Sequence, residues 1–206
     1  MSIQAVLFDI GNVLIEWQPE RFYDAQIGEE RRRAMFSEVD LHGMNDLIDR
    51  GHNFRDTIYD WAQNYPQWQL EIQMWHDNWL QLATPQIPHS VRLMRALKAR
   101  DTPVFILSNI GVQTWDIACE AYPYLTEFDR AYVSGHMQVI KPEPDIYAQV
   151  EADCGLPPES LIFADDRQDN LDTAAARGWN THLFTSPQGW AERLVSERLL
   201  TAEDAT

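Results

Sequence analysis

Cysteine is scarce in this chain. Cys119 and Cys154 are the only two, and they do not form a Cys-x-x-Cys pair, so a disulfide framework is excluded and a reducing interior is the default setting. Long hydrophobic runs are missing as well: no stretch of about 18 apolar residues is available to span a bilayer. Basic residues are few. Sixteen Lys and Arg stand against thirty-two Asp and Glu, a net charge of -16, which repels the phosphates of nucleic acid and the anionic face of a membrane. Polyanion binding is disfavoured, whereas a small anionic substrate is compatible with this balance, because a few local cations and a metal ion override the global field at short range. The sequence has no internal repeat, low-complexity segment or flexible linker. Its N-terminus lacks the basic region and cleavage pattern of a signal peptide, and the expected location is cytoplasmic.

What is present fits one globular unit, or a core domain with a smaller insertion: 206 residues, 45% hydrophobic and 23% charged. Short apolar runs rich in β-branched residues occur at Ala5 to Phe8, Val104 to Leu107, Ala131 to Val133, Leu161 to Ala164 and Thr181 to Phe184. Their continuous hydrophobicity predicts strands covered on both faces, as in a parallel sheet. Helical patterns separate the last four. Pro144 to Asp153 places Ile146, Tyr147 and Val150 on one side with Gly155 to close the helix, and Asp169 to Arg177 is alanine-rich and followed by Gly178. Strand and helix in alternation predict a doubly wound, Rossmann-like α/β sheet.

The interval from Trp17 to Arg100 has no convincing strand and reads as entirely helical. Pro19 suits a first helical turn, Asn53 with Asp56 resembles a capping pair, and Pro66 forces a break. Beyond it Trp68, Ile72, Trp75, Trp79 and Leu82 form one apolar stripe on a single helix. The expected organisation is an α/β core made of 1–16 and 101–206, with 17–100 inserted as a helical cap whose last helix returns to the core.

Four polar groupings fall where apolar runs end: Asp9 in "AVLFDIGNVLIEW", Ser108 with Asn109 in "FILSN", Lys141 in "IKPEP", and Asp165 with Asp166 in "LIFADD". Ligands of open parallel sheets bind beyond the carboxyl ends of the strands, where three of these groupings would converge. Together they suit magnesium and a phosphoryl group. Each has a plainer reading alone: Asp9 as a turn former, Ser108 and Asn109 as a helix cap, Lys141 as a solvated cation, and the acidic pair as a loop opening a helix. Two adjacent carboxylates at a strand end, however, repel unless a cation separates them.

In order and content the segments "FDIGNV", "LSN", "KPEPDIY" and "FADDRQDN" resemble the four signatures of the haloacid dehalogenase (HAD) superfamily, with the helical insertion where its helical-cap subclass has one. Any one of these motifs is weak, but four in sequence are specific. Within the superfamily the chain is similar to the alpha-D-glucose-1-phosphate phosphatases, which also carry Gly at the third position of the first motif. The resemblance implies that Asp9 attacks phosphorus to form an aspartyl-phosphate, which water then hydrolyses. It further implies Mg2+ held by Asp9, the Gly11 carbonyl and Asp166, with Asp165 orienting that shell from behind. Ser108 and Asn109 would donate to phosphate oxygens at the start of a following helix, and Lys141 would balance the remaining charge.

Gly11 departs from most phosphatases of the superfamily, which carry there a second Asp that protonates the leaving oxygen. General acid catalysis is worth about 100- to 10,000-fold. Either the substrate's leaving group needs little protonation, as in aldose 1-phosphates, or a cap residue takes over; the first is the preferred expectation. For the cap, "DLHGMNDLIDRGHNF" offers His42, Asn45, Asp46, Asp49, Arg50 and His52 as sugar contacts, against the plainer reading of a solvated loop with a helix cap, and the tryptophans at 61, 68, 75 and 79 are expected to pack the cap. The expected partner is a small phosphorylated molecule, with neither nucleic acid nor membrane, acting on a monomer or weak homodimer. Other readings are weighed against it: a metal-independent 2-haloacid dehalogenase, which leaves Asp165 and Asp166 without a role, a phosphomutase, which Gly11 denies its proton shuttle, a phospho-acceptor receiver, against which the large helical insertion argues, and a catalytically weak phosphate-binding module.

Overall fold

The computed structural model describes residues 2–206. Seven strands and twelve α-helices follow one another in it. β1 (Ala5–Phe8) is followed by a short β2 (Ile15–Trp17) and then by α1 (Pro19–Ile27), α2 (Glu29–Glu38), α3 (Leu41–Asp49), α4 (Phe54–Gln63), α5 (Gln69–Asp77) and α6 (Trp79–Leu82). β3 (Ala83–Gln86) and α7 (Pro88–Ala99) lead back to β4 (Val104–Ser108), α8 (Val112–Ala121), β5 (Arg130–Val133), α9 (Ser134–Met137) and α10 (Pro144–Cys154). The chain ends with β6 (Leu161–Asp165), α11 (Gln168–Ala176), β7 (Asn180–Leu183) and α12 (Pro187–Ser196).

Five strands form one parallel sheet in the order β5-β4-β1-β6-β7. Helices cover both of its faces, which is why the strands read as unbroken apolar runs. Val6, Phe8, Val104, Ile106, Ile162 and Ala164 enter one buried cluster, and the intervening Ala5, Leu7, Phe105, Leu107, Leu161 and Phe163 enter another on the opposite face. A period-2 backbone with apolar layers on both sides leaves no position for a polar residue until the strand ends. This is the doubly wound α/β architecture that the alternation of strands and helices predicts.

The excursion after β1 is not purely helical, contrary to the expectation. β2 and β3 pair antiparallel, Ile15 opposite Gln86 and Trp17 opposite Ala83, and form a two-stranded ribbon from which α1 to α6 project. The segment "ATPQ" escapes sequence reading because it is short, contains Pro85 and buries only Ala83; its pairing with β2, not its propensity, makes it a strand. Trp68, Ile72, Trp75, Trp79 and Leu82 are all buried. The stripe spans a 3₁₀ turn ending at Trp68 and the two helices α5 and α6, not one helix, because the backbone leaves helical geometry at Asn78 (φ -128°). Asn53 does cap α4, its side-chain oxygen accepting from Asp56 N–H at 3.0 Å, and Gly155 closes α10 in the left-handed region. α7 packs against β4 and α12 of the α/β layer. No helix among the described residues is long and apolar enough to cross a membrane.

Candidate active site

Strand register assembles the polar cluster. Phe8 pairs with Ala164 on one side and Ile106 on the other. One residue further, Asp9 is therefore level with Asp165 and Leu107, with Ser108 next along β4. These are the carboxyl ends of the three central strands, where the chain turns from one side of β1 to the other. Lys141 comes from the loop before α10. Its ammonium lies 3.0 Å from Asp9 Oδ1 and 2.6 Å from Asp165 Oδ2, and donates to the Leu107 carbonyl at 3.0 Å. All four sequence groupings thus meet in one cleft of about 210 Å³, lined by Asp9, Gly11, Ser108, Asn109, Lys141 and Asp166 among others.

The two aspartates of "FADD" have different environments. Asp165 is fully buried and its oxygens are engaged: Oδ2 by Lys141 and by Asn170 Nδ2 at 3.0 Å, Oδ1 by Arg167 N–H at 2.8 Å and by the same Asn170 amide at 3.0 Å. Asp166 is only partly buried and faces the cleft, its Oδ2 accepting from Asn12 Nδ2 at 2.8 Å. Asp9 Oδ1 accepts from Ile10 N–H at 2.7 Å.

Asn109 lies in the cleft wall, but its side chain is tied to the backbone of Lys141. Its Nδ2 donates to the Lys141 carbonyl at 2.9 Å and its Oδ1 accepts from the Lys141 N–H at 2.7 Å. It clamps the lysine loop to the end of β4. The helix expected to start at Ser108 and Asn109 begins at Val112, with Gly111 as its N-cap.

Three carboxylates stand against one ammonium, which pairs with Asp9 and Asp165, so the cluster carries about two excess negative charges when fully ionised. Burial, reinforced by Asp165 and Asp166, pushes Asp9 up to about 7 against the pull of Lys141. Asp166 is raised too, first by burial and then by Asp165, with Asn12 opposing. For Lys141 burial alone would favour the neutral amine, yet Asp165 and Asp9 hold it above its ordinary value. Asp9, Asp165 and Asp166 each offer a carboxylate oxygen, all within 4.8 Å of one another. An all-oxygen donor set with two uncompensated negative charges suits a hard divalent cation such as Mg2+.

The opposite wall comes from α3 and the β2–β3 ribbon. His42, Asn45, Asp46 and Asp49 recur at i, i+3, i+4 and i+7 and all line the cleft, beside Trp17 and Trp79. The segment anticipated as a solvated loop is a helix with a polar face turned to the active site, while Leu41, Met44 and Ile48 bury its other side. Arg50 instead pairs with Glu143, and His52 lines a separate surface depression. Among the tryptophans, Trp68, Trp75 and Trp79 do pack the cap interior.

Sequence reasoning overlooked Asn12 and Asn170, which fix Asp166 and Asp165. Both lie inside the quoted motifs. A hint existed for Asn12: it follows Gly11 in a tight turn, takes φ 54° and accepts from Trp17 N–H at 3.0 Å, a conformation that Asn tolerates better than most residues.

A family model described as haloacid dehalogenase-like hydrolase matches residues 3–178. The chain belongs to this family of hydrolytic enzymes. A solved relative, the HAD family enzyme BT-2542 from Bacteroides thetaiotaomicron, is 25% identical, with a TM-score of 0.72 over 94% of this chain and 99% of its own. The same enzyme in complex with magnesium and inorganic phosphate matches at 26% identity, with a TM-score of 0.66 over 88% of this chain and 93% of that one. L-2-haloacid dehalogenase from Xanthobacter autotrophicus shares the fold at 19% identity, with a TM-score of 0.63 over 94% of this chain and 83% of its own. A curated relative, drimenol cyclase drtB of Aspergillus calidoustus, is 24% identical over 187 residues. That match takes in 88% of this hydrolase but only 34% of the cyclase, so the chain spans about a third of that relative's length.

Proposed function

We propose that this hydrolase is a magnesium-dependent phosphatase of small phosphomonoesters, aldose 1-phosphates in the first place, working through an aspartyl-phosphate on Asp9. The carrying observation is the cluster itself: Asp9, Asp165 and Asp166 within 4.8 Å, with the Lys141 ammonium paired to Asp9 and Asp165. The Mg2+ and inorganic phosphate bound by BT-2542 support the same assignment.

Lys141 and the Ile10 N–H hold Asp9 Oδ1, orienting the carboxylate for in-line attack. Asp9, Asp166 and the Gly11 carbonyl would hold the cation, and Asp165, locked by Lys141 and Asn170, supports them. Bound there, Mg2+ neutralises charge between the nucleophile and the phosphoryl oxygens. The Ser108 hydroxyl and the backbone N–H groups of Asn109 and Gly111 would donate to phosphate, that of Ile110 being engaged by the Ser134 hydroxyl. The polar face of α3 would receive sugar hydroxyls, and Trp17 and Trp79 offer apolar ring faces. A metal-independent dehalogenase has less support, since attack on carbon would leave three clustered carboxylates with no countercharge beyond Lys141.

The test is phosphate release from a panel of aryl phosphates, sugar 1-phosphates and sugar 6-phosphates, with and without a chelator. Turnover that needs Mg2+, favours the 1-phosphate and is abolished by Asp9→Asn is expected. Chelator-insensitive turnover, or full activity of Asp9→Asn, would contradict the proposal.

A further inference from the structure

At Gly11 the chain has no side chain to move a proton, so any acid acting on the leaving oxygen must reach the cleft from elsewhere. Besides the Asp9 cluster, four acidic or imidazole side chains line the cleft: Glu16, His42, Asp46 and Asp49. Glu16 is paired with Arg21 at 2.7 Å. His42 is largely exposed and faces Asp46 at 3.9 Å. Asp49 differs from all three: it is 6% exposed, has no ion-pair partner among the described residues, and receives its side-chain hydrogen bond from Asn45 Nδ2, 2.8 Å from Oδ2. A buried carboxylate without a cation is costly unless a proton neutralises it.

Asp49 is also held firmly to the core, although it belongs to the inserted helices. Its carbonyl accepts from the Ser134 hydroxyl at 2.7 Å, and the same hydroxyl oxygen accepts from Ile110 N–H at 2.9 Å, two residues beyond Ser108. Close backbone approach locks this junction. A Cβ on Gly111 would lie 2.6 Å from Ile48 Cγ2 and 2.8 Å from the Ile48 carbonyl, and one on Gly51 would lie 2.5 Å from the Gly135 carbonyl. Arg50 reaches outward to Glu143, two residues from Lys141. The end of α3 is therefore fixed to the turns that carry the phosphate donors and the lysine, and from this fixed end Asp49 lines the same cleft as Asp9, Ser108 and Lys141.

We infer that Asp49 is the proton donor and acceptor that Gly11 cannot be. The inference rests on the phosphatase reading above and takes the second of the two routes that Gly11 leaves open, a cap residue acting as the acid, so it does not depend on the preference for 1-phosphates. In the first half-reaction an Asp9 oxygen forms a bond to phosphorus while the bond to the ester oxygen breaks; that oxygen takes the electron pair and the Asp49 proton and leaves as an alcohol. In the second, water attacks phosphorus, gives a proton to the Asp49 carboxylate, and the Asp9 carboxylate departs, restoring both groups.

The electrostatic setting agrees with this role. Burial, reinforced by Asp46 on the same helix and by Asp9 across the cleft, pushes Asp49 up to about 8, with Lys141 opposing. His42 lies a further turn back on α3, Arg50 is engaged by Glu143, and His136 on the adjoining α9 is exposed.

Asp49→Asn keeps the shape and an acceptor for Asn45, so kcat/KM, which reports steps through the first bond cleavage, tests the idea on 2,4-dinitrophenyl phosphate, phenyl phosphate and a sugar 6-phosphate in saturating Mg2+. The expected result is a fall of about 100-fold or more for the sugar 6-phosphate and a many-fold smaller fall for the dinitrophenyl ester, whose leaving group needs no proton. Because the acid form is required, wild-type kcat/KM for the 6-phosphate should decline as pH rises through the titration of Asp49, a limb the variant lacks. Equal losses on all three esters would assign Asp49 a structural role, and no loss would remove it from the reaction. If Asp49→Asn is misfolded by circular dichroism, Asp49→Ser, read by the same leaving-group ratio, decides in its place. Wild-type inactivity on every ester would overturn the phosphatase reading itself, and this inference with it.

Discussion

Lys141 is the side chain on which the cleft's charge balance turns. Its ammonium is nearly inaccessible and touches two carboxylates, and breaking a buried pair by removing one partner costs about 3–5 kcal/mol because the other charge is stranded. Lys141→Met is therefore expected to lower unfolding free energy by roughly that amount in urea titrations at neutral pH, with activity lost. The deficit should shrink at acid pH, where Asp9, raised to about 7, becomes neutral and needs no partner. A deficit independent of pH would mean that Lys141 does not compensate these carboxylates. At this scale the sequence was informative about identity and silent about commitment. Asp9, Lys141, Asp165 and Asp166 stand at strand ends or in a loop where polar residues interrupt apolar ones, but that the Asn109 side chain binds the Lys141 backbone depends on a loop path no local pattern encodes. Asp49 offered no signal of its own, since burial of a helix-terminal carboxylate is decided by what packs over it.

Among the elements, the central strands β1, β4 and β6 were the most legible, because each is sandwiched between two apolar clusters and shows it residue by residue. β3 was hidden, since its partner β2 lies nearly seventy residues away. α3 was half legible: His42, Asn45, Asp46 and Asp49 have the spacing of one helical face, yet Gly43 and the short apolar set Leu41, Met44 and Ile48 made the segment resemble a loop. Its docking depends on glycine. A Cβ at position 135 would lie 2.7 Å from Val112 N and 3.0 Å from Gly111 Cα, contacts that only backbone movement relieves. Gly135→Ala should cost about 1–3 kcal/mol of stability, as overpacking does, and lower kcat/KM by displacing the end of α3. Thermal melts and kinetics together check this; a variant with unaltered melting and kinetics would show that the junction is looser than described.

For the molecule as a whole, a net charge of -16 sits around a cleft whose proposed substrate is itself anionic. The sheet resolves this conflict locally. Parallel strands bring Asp9, Ser108 and Asp165 to one edge, and the lysine loop and the inserted helices close over it, so a divalent cation can outweigh the surrounding field at short range. The fold was readable because its α/β alternation is a whole-chain pattern; the cap's reach into the site was not, because it arises from contacts between segments distant in sequence. The central claim is that Asp9 and Asp166 share a divalent cation beside a phosphoryl group on Asp9. Crystals grown with Mn2+ and beryllium fluoride test it most directly through the anomalous signal of the metal. The expected map shows the ion within about 2.2 Å of an oxygen from Asp9, the Gly11 carbonyl and Asp166, with the fluoride adduct on Asp9. An ion bound elsewhere, or an adduct on any other side chain, would contradict the claim.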